Sequence, residues 1–189
     1  MLRTSAVSFY LTKSRVRSDL LTLFFLHPER SYYLRELQRQ LQTSPGTLAR
    51  ELKFFWSEGL LERESRGREI FYQINSRHPL FKEIKGIVEK TAGVPNRLSA
   101  AFKGMKEISE AYLYGSYVTG KMRAHSDIDL LLVGRETDSL RKLLNRLETR
   151  FGRRMNATTY SPKEFKRKQG DRSEFVFAIM KSPFLKLKP

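Results

Sequence analysis

The stretch that most limits what this chain can fold into is "SDIDLLLVG", Ser126 to Gly134. A short apolar run closed by a glycine reads as a buried strand, too brief for a helix. Two acids, Asp127 and Asp129, stand at its head with Ile128 between them. Side chains alternate along a strand, so both carboxylates share one face, with Cα atoms about 6.5–7 Å apart. Acids at the edge of a buried strand are costly unless something positive meets them. This spacing suits two divalent cations about 3.5–4 Å apart.

Upstream lies "AYLYGSYVTGKM", Ala111 to Met122. Its G-S-Y-V-T-G-K-M is one residue from a P-loop, which needs Ser or Thr where Met122 stands to place a hydroxyl on magnesium. A P-loop also opens a long helix at its Gly-Lys, whereas "KMRAHSD" leads within a few residues into another strand. The acid of a P-loop enzyme follows its apolar strand, and here the acids precede it. The stretch therefore reads as a different phosphate grip. A strand over Ala111–Tyr114 delivers Gly115, where the backbone can approach an anion closely, and Ser116, which offers a hydroxyl and an N–H. A short helix starting there would aim its N-terminus at the anion. Lys121 and Arg123 add charge where phosphoryl transfer needs it.

The pattern "GS…G…SDIDLLLV" resembles the nucleotidyltransferases of the DNA polymerase beta superfamily, especially the minimal stand-alone kind of prokaryotes. The resemblance covers roughly residues 94 to 189. It implies a small mixed β-sheet flanked by helices, Mg²⁺ (or Mn²⁺) held by Asp127 and Asp129 as catalytic and metal-binding residues, and an NTP gripped by Gly115 and Ser116 with Lys121 and Ser126 beside them. A nucleoside monophosphate would pass to an acceptor hydroxyl and pyrophosphate would leave. The family has a third carboxylate on a later strand. In "RRMNATTYSP", after a helix over Glu136 to Phe151, the matching position is Asn156. An amide binds magnesium weakly through its carbonyl and cannot act as a base. Glu164, Asp171 and Glu174 are the nearby acids that could stand in. Each reads more simply as a surface residue, in or just past the capped, basic helix "SPKEFKRKQG".

Residues 17 to 75 follow another pattern. Leu20, Leu23, Phe24 and His27 share one helical face, ended by Pro28. A second helix from about Ser31 buries Leu34, Leu37 and Leu41. Ser44 is an N-cap with Pro45 at the first helical position. The third helix presents Leu48, Leu52 and Phe55 to a core and stops at Glu58-Gly59. Two alternating segments then flank Arg66-Gly67, a hairpin turn. Helix, turn, helix and a basic hairpin resemble the winged helix-turn-helix family of DNA-binding domains. That implies double-stranded DNA as a partner, with the third helix in the major groove offering Ser44, Thr47, Arg50 and Lys53. Arg63, Arg66 and Arg68 of the hairpin would meet phosphates or the minor groove.

The expected fold class is α+β: an N-terminal winged helix-turn-helix domain over 1–77, a connecting helix over 78–93, and a nucleotidyltransferase-like domain over 94–189. A net charge of +16 over 189 residues favours a polyanionic or phosphate-rich partner. There is no cysteine, which excludes disulfides and cysteine-ligated zinc. The run "LLTLFFL", Leu20 to Leu26, is too short to cross a bilayer, so no membrane partner and a cytoplasmic location are expected. Three functions remain open. One is an active transferase brought to DNA or a partner. Another is a DNA-bound nucleotide sensor with weak or no turnover. The third is an antitoxin-like modifier of a partner protein, such as a toxin. Phe9, Tyr10 and Leu11 would serve a homodimer.

Overall fold

The computed structural model describes residues 14–123, 125–172 and 175–189, and it divides the chain into two units, Met1–Gly93 and Val94–Pro189. Phe9, Tyr10, Leu11 and Glu174, singled out from the sequence, lie outside the described residues.

The first unit runs α1 (Arg15–Leu26), β1 (Tyr32–Tyr33), α2 (Leu34–Leu41), α3 (Pro45–Ser57), β2 (Leu61–Arg66), β3 (Glu69–Ile74) and α4 (Phe81–Thr91). Ser44 caps α3 through its hydroxyl and Pro45 opens it, as its missing N–H allows. Leu48, Leu52 and Phe55 then point inward at helical spacing and are fully buried with Leu20, Phe24 and Leu37. The hairpin β2–β3 pairs Arg66 with Glu69 and leaves a two-residue loop, Gly67-Arg68. Gly67 sits at φ +61, the conformation that glycine takes at the first central position of such a loop. The sequence suggested that the second helix starts near Ser31. It starts at Leu34, because Tyr32 and Tyr33 pair with Tyr72 and Phe71 as a third strand. Tyr32 is fully buried, edge-on to Phe24 at 5.5 Å, and that burial outweighs any local helical preference. Ile84 and Val88 anchor α4 in the same core.

The second unit runs α5 (Val94–Lys103), β4 (Ile108–Tyr114), β5 (Ile128–Gly134), α6 (Asp138–Phe151), β6 (Met155–Tyr160), α7 (Pro162–Gly170), α8 (Phe175–Lys181) and β7 (Leu185–Lys188). Its sheet has the order β6-β5-β4-β7, with β5–β6 parallel and the other pairs antiparallel, so it is mixed. β5 is buried on both faces: Ile128, Leu130 and Leu132 on one, Leu131 and Val133 on the other. The second of these faces packs under Phe165 of α7 and Val176 and Ile179 of α8. The parallel β5–β6 register sets Asp129 beside Asn156, and the antiparallel β4–β5 register sets it beside Tyr114. Strand pairing alone therefore gathers the ends of β4, β5 and β6 around one carboxylate.

Candidate functional site

The chain leaves β4 at Tyr114 and turns at Gly115, whose φ is +76. A Cβ placed on Gly115 would lie 2.3 Å from Asp129 Oδ2, so this backbone lies directly against the carboxylate and only glycine fits. Residues 115–120 form consecutive turns rather than the short helix suggested by the sequence. The Thr119 amide donates to the Gly115 carbonyl at 3.2 Å, and the Lys121 amide donates to the Ser116 carbonyl at 3.0 Å. The second closure spans one residue more than an α-turn. Gly120, at φ +69, then ends the winding before a helix can propagate. Ser116 lies at the start of this turn and Lys121, exposed, at its end.

Asp129 belongs to β5, and Asp127 lies one residue before the strand begins at Ile128. Both are half-buried. The segment leading to them is tied down from below. Arg153, only 6 % exposed, donates through Nη1 to the carbonyls of Arg123 (2.7 Å) and Ser126 (3.2 Å). The Ile128 amide donates to the Arg154 carbonyl at 2.9 Å. The Ser126 hydroxyl accepts from the Arg123 amide at 2.9 Å, so this nucleotide-binding candidate shapes the loop that carries Asp127. Arg153 went unnoticed in the sequence, where it is one of two consecutive arginines before a strand and nothing marks it as buried.

Asn156 occupies the place where a third acid was sought. Its Nδ2 donates to Asp129 Oδ1 at 2.9 Å. A carboxylate only accepts, which fixes the amide with its NH₂ toward Asp129. Of the substitute acids, Glu164 accepts from the Ser161 amide at 3.0 Å and from its hydroxyl at 2.6 Å, completing a capping box at the start of α7. Those hydrogen bonds hold its carboxyl below the usual range. Asp171 is the C-cap of the same helix. Among the described residues no group of three or more His, Cys, Asp or Glu is gathered to hold a metal ion. Asp127 and Asp129 remain, a pair of hard oxygen donors of the kind magnesium or manganese takes. Behind them, Tyr114 packs edge-on to Phe175 at 5.9 Å. Burial first, then the nearby Asp129 and Tyr160, push its phenol up to about 12.

On the first unit, the DNA-binding candidates divide into two groups. Ser44 and Thr47 are occupied at the cap of α3, where their hydroxyls bond at 2.8 Å. Arg66 is tied to Glu64 at 2.6 and 2.9 Å, donates to the Ser31 hydroxyl at 3.3 Å and lies 4.7 Å from the Phe71 ring centre. Arg63 stacks 3.7 Å over the Trp56 ring. Arg50 and Lys53 on α3 and Arg68 in the hairpin loop are exposed and make no hydrogen bond or ion pair with other described residues.

Residues 96–168 match the family model described as Polymerase beta, Nucleotidyltransferase. The matched stretch includes Gly115, Ser116, Asp127, Asp129 and Asn156, and it supports a polymerase beta superfamily domain in the second unit. The small mixed sheet and its helices fit that nucleotidyltransferase fold. None of the curated proteins matches the chain. No helix among the described residues is long and apolar enough to cross a membrane.

Proposed function

We propose that this chain is a DNA-binding nucleotidyltransferase that moves a nucleoside monophosphate from Mg-NTP to an acceptor hydroxyl. The observation that carries the reading is the close seat of Gly115 against Asp129, because it brings a phosphate-gripping turn and a metal-binding carboxylate together. Asp127 and Asp129 would hold the divalent cation, which supplies positive charge to the triphosphate. Ser116 would grip phosphate oxygens through its hydroxyl and amide, and Lys121 would add charge at the mouth. The acceptor hydroxyl, giving up its proton to water, would attack the α-phosphorus in line and displace pyrophosphate. The first unit, read as a winged helix-turn-helix, would hold the enzyme on duplex DNA through Arg50, Lys53 and Arg68. The test is label transfer from α-labelled NTPs with Mg²⁺ or Mn²⁺ into a lysate, comparing wild type with Asp127→Asn/Asp129→Asn. Label on a macromolecule with wild type alone supports transfer, and equal labelling by both proteins sinks it.

A second reading has its own support. The Asn156 amide spends its N–H on Asp129 and offers no base, which favours a DNA-bound nucleotide sensor with little turnover. Nucleotide binding without transfer, lost in the double variant, would select it.

A further inference from the structure

A cleft of about 400 Å³ opens on the first unit between α2 and the loop end of β3, lined by Tyr33, Arg35, Gln38, Arg39 and Glu69. Its position follows from the register. β1 runs antiparallel to β3, with Tyr33 opposite Phe71, so the first turn of α2 continues alongside the start of β3 near Glu69. Tyr33 is its aromatic lining residue, held by Phe71 behind it with ring centres 5.4 Å apart. Arg39 is braced there, donating to the Tyr33 hydroxyl at 3.1 Å.

The remaining groups are unspent. Arg35 and Glu69 carry opposite charges and line one cleft, yet neither side chain makes a hydrogen bond or ion pair with another described residue, and neither does that of Gln38. The cleft presents two guanidinium groups, a carboxamide, a carboxylate and a ring. Guanidinium forks match phosphate oxygens. A carboxylate accepts from the exocyclic amino group of a base, a carboxamide pairs with the amino edge of adenine, and a ring stacks on a base face. The volume lies at the small end of ligand pockets, which suits one nucleotide. A bare anion would gain nothing from Glu69.

We propose that this cleft binds a nucleoside 5′-monophosphate with an amino-bearing base, adenine fitting best. Arg35 and Arg39 hold the phosphate, Tyr33 carries the base, and Gln38 and Glu69 read its amino edge. The site stands apart from the Gly115–Asp129 reading and does not depend on it.

The experiment uses the full chain carrying Asp127→Asn/Asp129→Asn in EDTA, so that the carboxylate site of the second unit is disabled. Equilibrium dialysis with labelled AMP is compared with UMP and inorganic phosphate. Saturable AMP binding is expected, weakened by about tenfold or more in Arg35→Ala/Arg39→Ala, as the loss of charge-assisted phosphate contacts requires. Gln38→Leu/Glu69→Leu, which removes both acceptors, should erase the preference for AMP over UMP while the phosphate affinity holds. Arg35 and Arg39 are exposed, and a melting curve for each variant confirms folding. The proposal is overturned by absence of saturable AMP binding, by unchanged binding in the double arginine variant, or by phosphate binding as tightly as AMP.

Discussion

Asn156 donates a hydrogen bond from Nδ2 to Asp129 Oδ1 at 2.9 Å, across the parallel register that pairs the two residues. One carboxylate of the site is thus held by a neutral amide of its own chain. Asn156→Asp would replace this donor with a third acceptor. Without metal, two carboxylates would face each other and the variant should melt a few degrees lower, since about 1 kcal/mol corresponds to about 2–4 °C at this size. Millimolar Mg²⁺ should restore the loss. In the label-transfer assay, turnover should rise by about 10²-fold, the scale of a gained general base. A melting point independent of Mg²⁺, with no gain in transfer, would show that position 156 holds no metal.

Gly115 allows no side chain, because its Cβ would overlap Asp129 Oδ2 and its φ is +76. Gly115→Ala should cost about 1–2 kcal/mol for the left-handed backbone alone. It should also push Asp129 off its position, and a misplacement of about 1 Å lowers rates by about 10²-fold. Ser116→Ala leaves the turn intact and should raise the apparent Kd for nucleotide with little change in melting point. Isothermal titration of both variants separates the roles. Equal nucleotide affinity in Gly115→Ala and wild type would show that the close approach serves packing only.

Arg153 braces the loop that carries Asp127, through the carbonyls of Arg123 and Ser126. Arg153→Met keeps much of the volume but strips both acceptors of this donor, which costs about 1–3 kcal/mol for a largely buried group. A lower melting point together with weaker nucleotide binding is expected. Normal nucleotide affinity in a destabilised Arg153→Met would confine Arg153 to folding.

Some of this was readable from the chain because it is local. The alternation in Asp127-Ile128-Asp129 needs no partner to be seen, and the Ser161–Glu164 cap follows from four consecutive residues. The choice of Asn156 came from the resemblance, and strand alternation added only that it shares a face with Thr158 and Tyr160. What escaped depends on distant partners. Tyr32–Tyr33 became a strand because β3 was there to pair with, and "LKLK" became β7 because β4 had a free edge. The burial of Arg153 needs a loop some thirty residues earlier to fold over it. The turn at Gly115–Gly120 differs from a helix by one hydrogen bond step and a second glycine, a distinction that local propensity does not resolve.

Tyr114 should leave a mark on alkaline stability. Its phenol titrates at about 12 in the fold, mainly through burial and then through Asp129 and Tyr160, against about 10 when unfolded. Below pH 10 both states keep the proton, so the contribution is fully present. Between pH 10 and 12 the unfolded chain loses its proton first, so stability falls as pH rises. Tyr112, raised by burial and by its bond to Glu110, adds to the same slope. Tyr114→Phe should remove one late phase from the tyrosinate absorbance titration and flatten the fall in melting point above pH 10. An unchanged number of late-titrating phenols would place Tyr114 in water rather than behind the carboxylate.

Arg66 and Arg68 sit two residues apart in the hairpin, yet Arg66 is held by Glu64 while Arg68 has no partner among the described residues. Breaking an exposed ion pair costs little, but a prepaired arginine also brings less net charge to a phosphate. If the hairpin meets DNA, Arg68→Ala should weaken duplex binding more than Arg66→Ala. It should lower the slope of log K against log salt by about 0.9, the loss of one phosphate contact. Glu64→Gln should free Arg66 and tighten binding. Arg50→Ala, on the exposed face of α3, should weaken affinity and alter sequence preference, because contacts to base edges read sequence directly. These comparisons need one fluorescent duplex series at several salt concentrations. An unchanged slope in Arg68→Ala together with an unchanged sequence preference in Arg50→Ala would take both side chains out of any DNA contact.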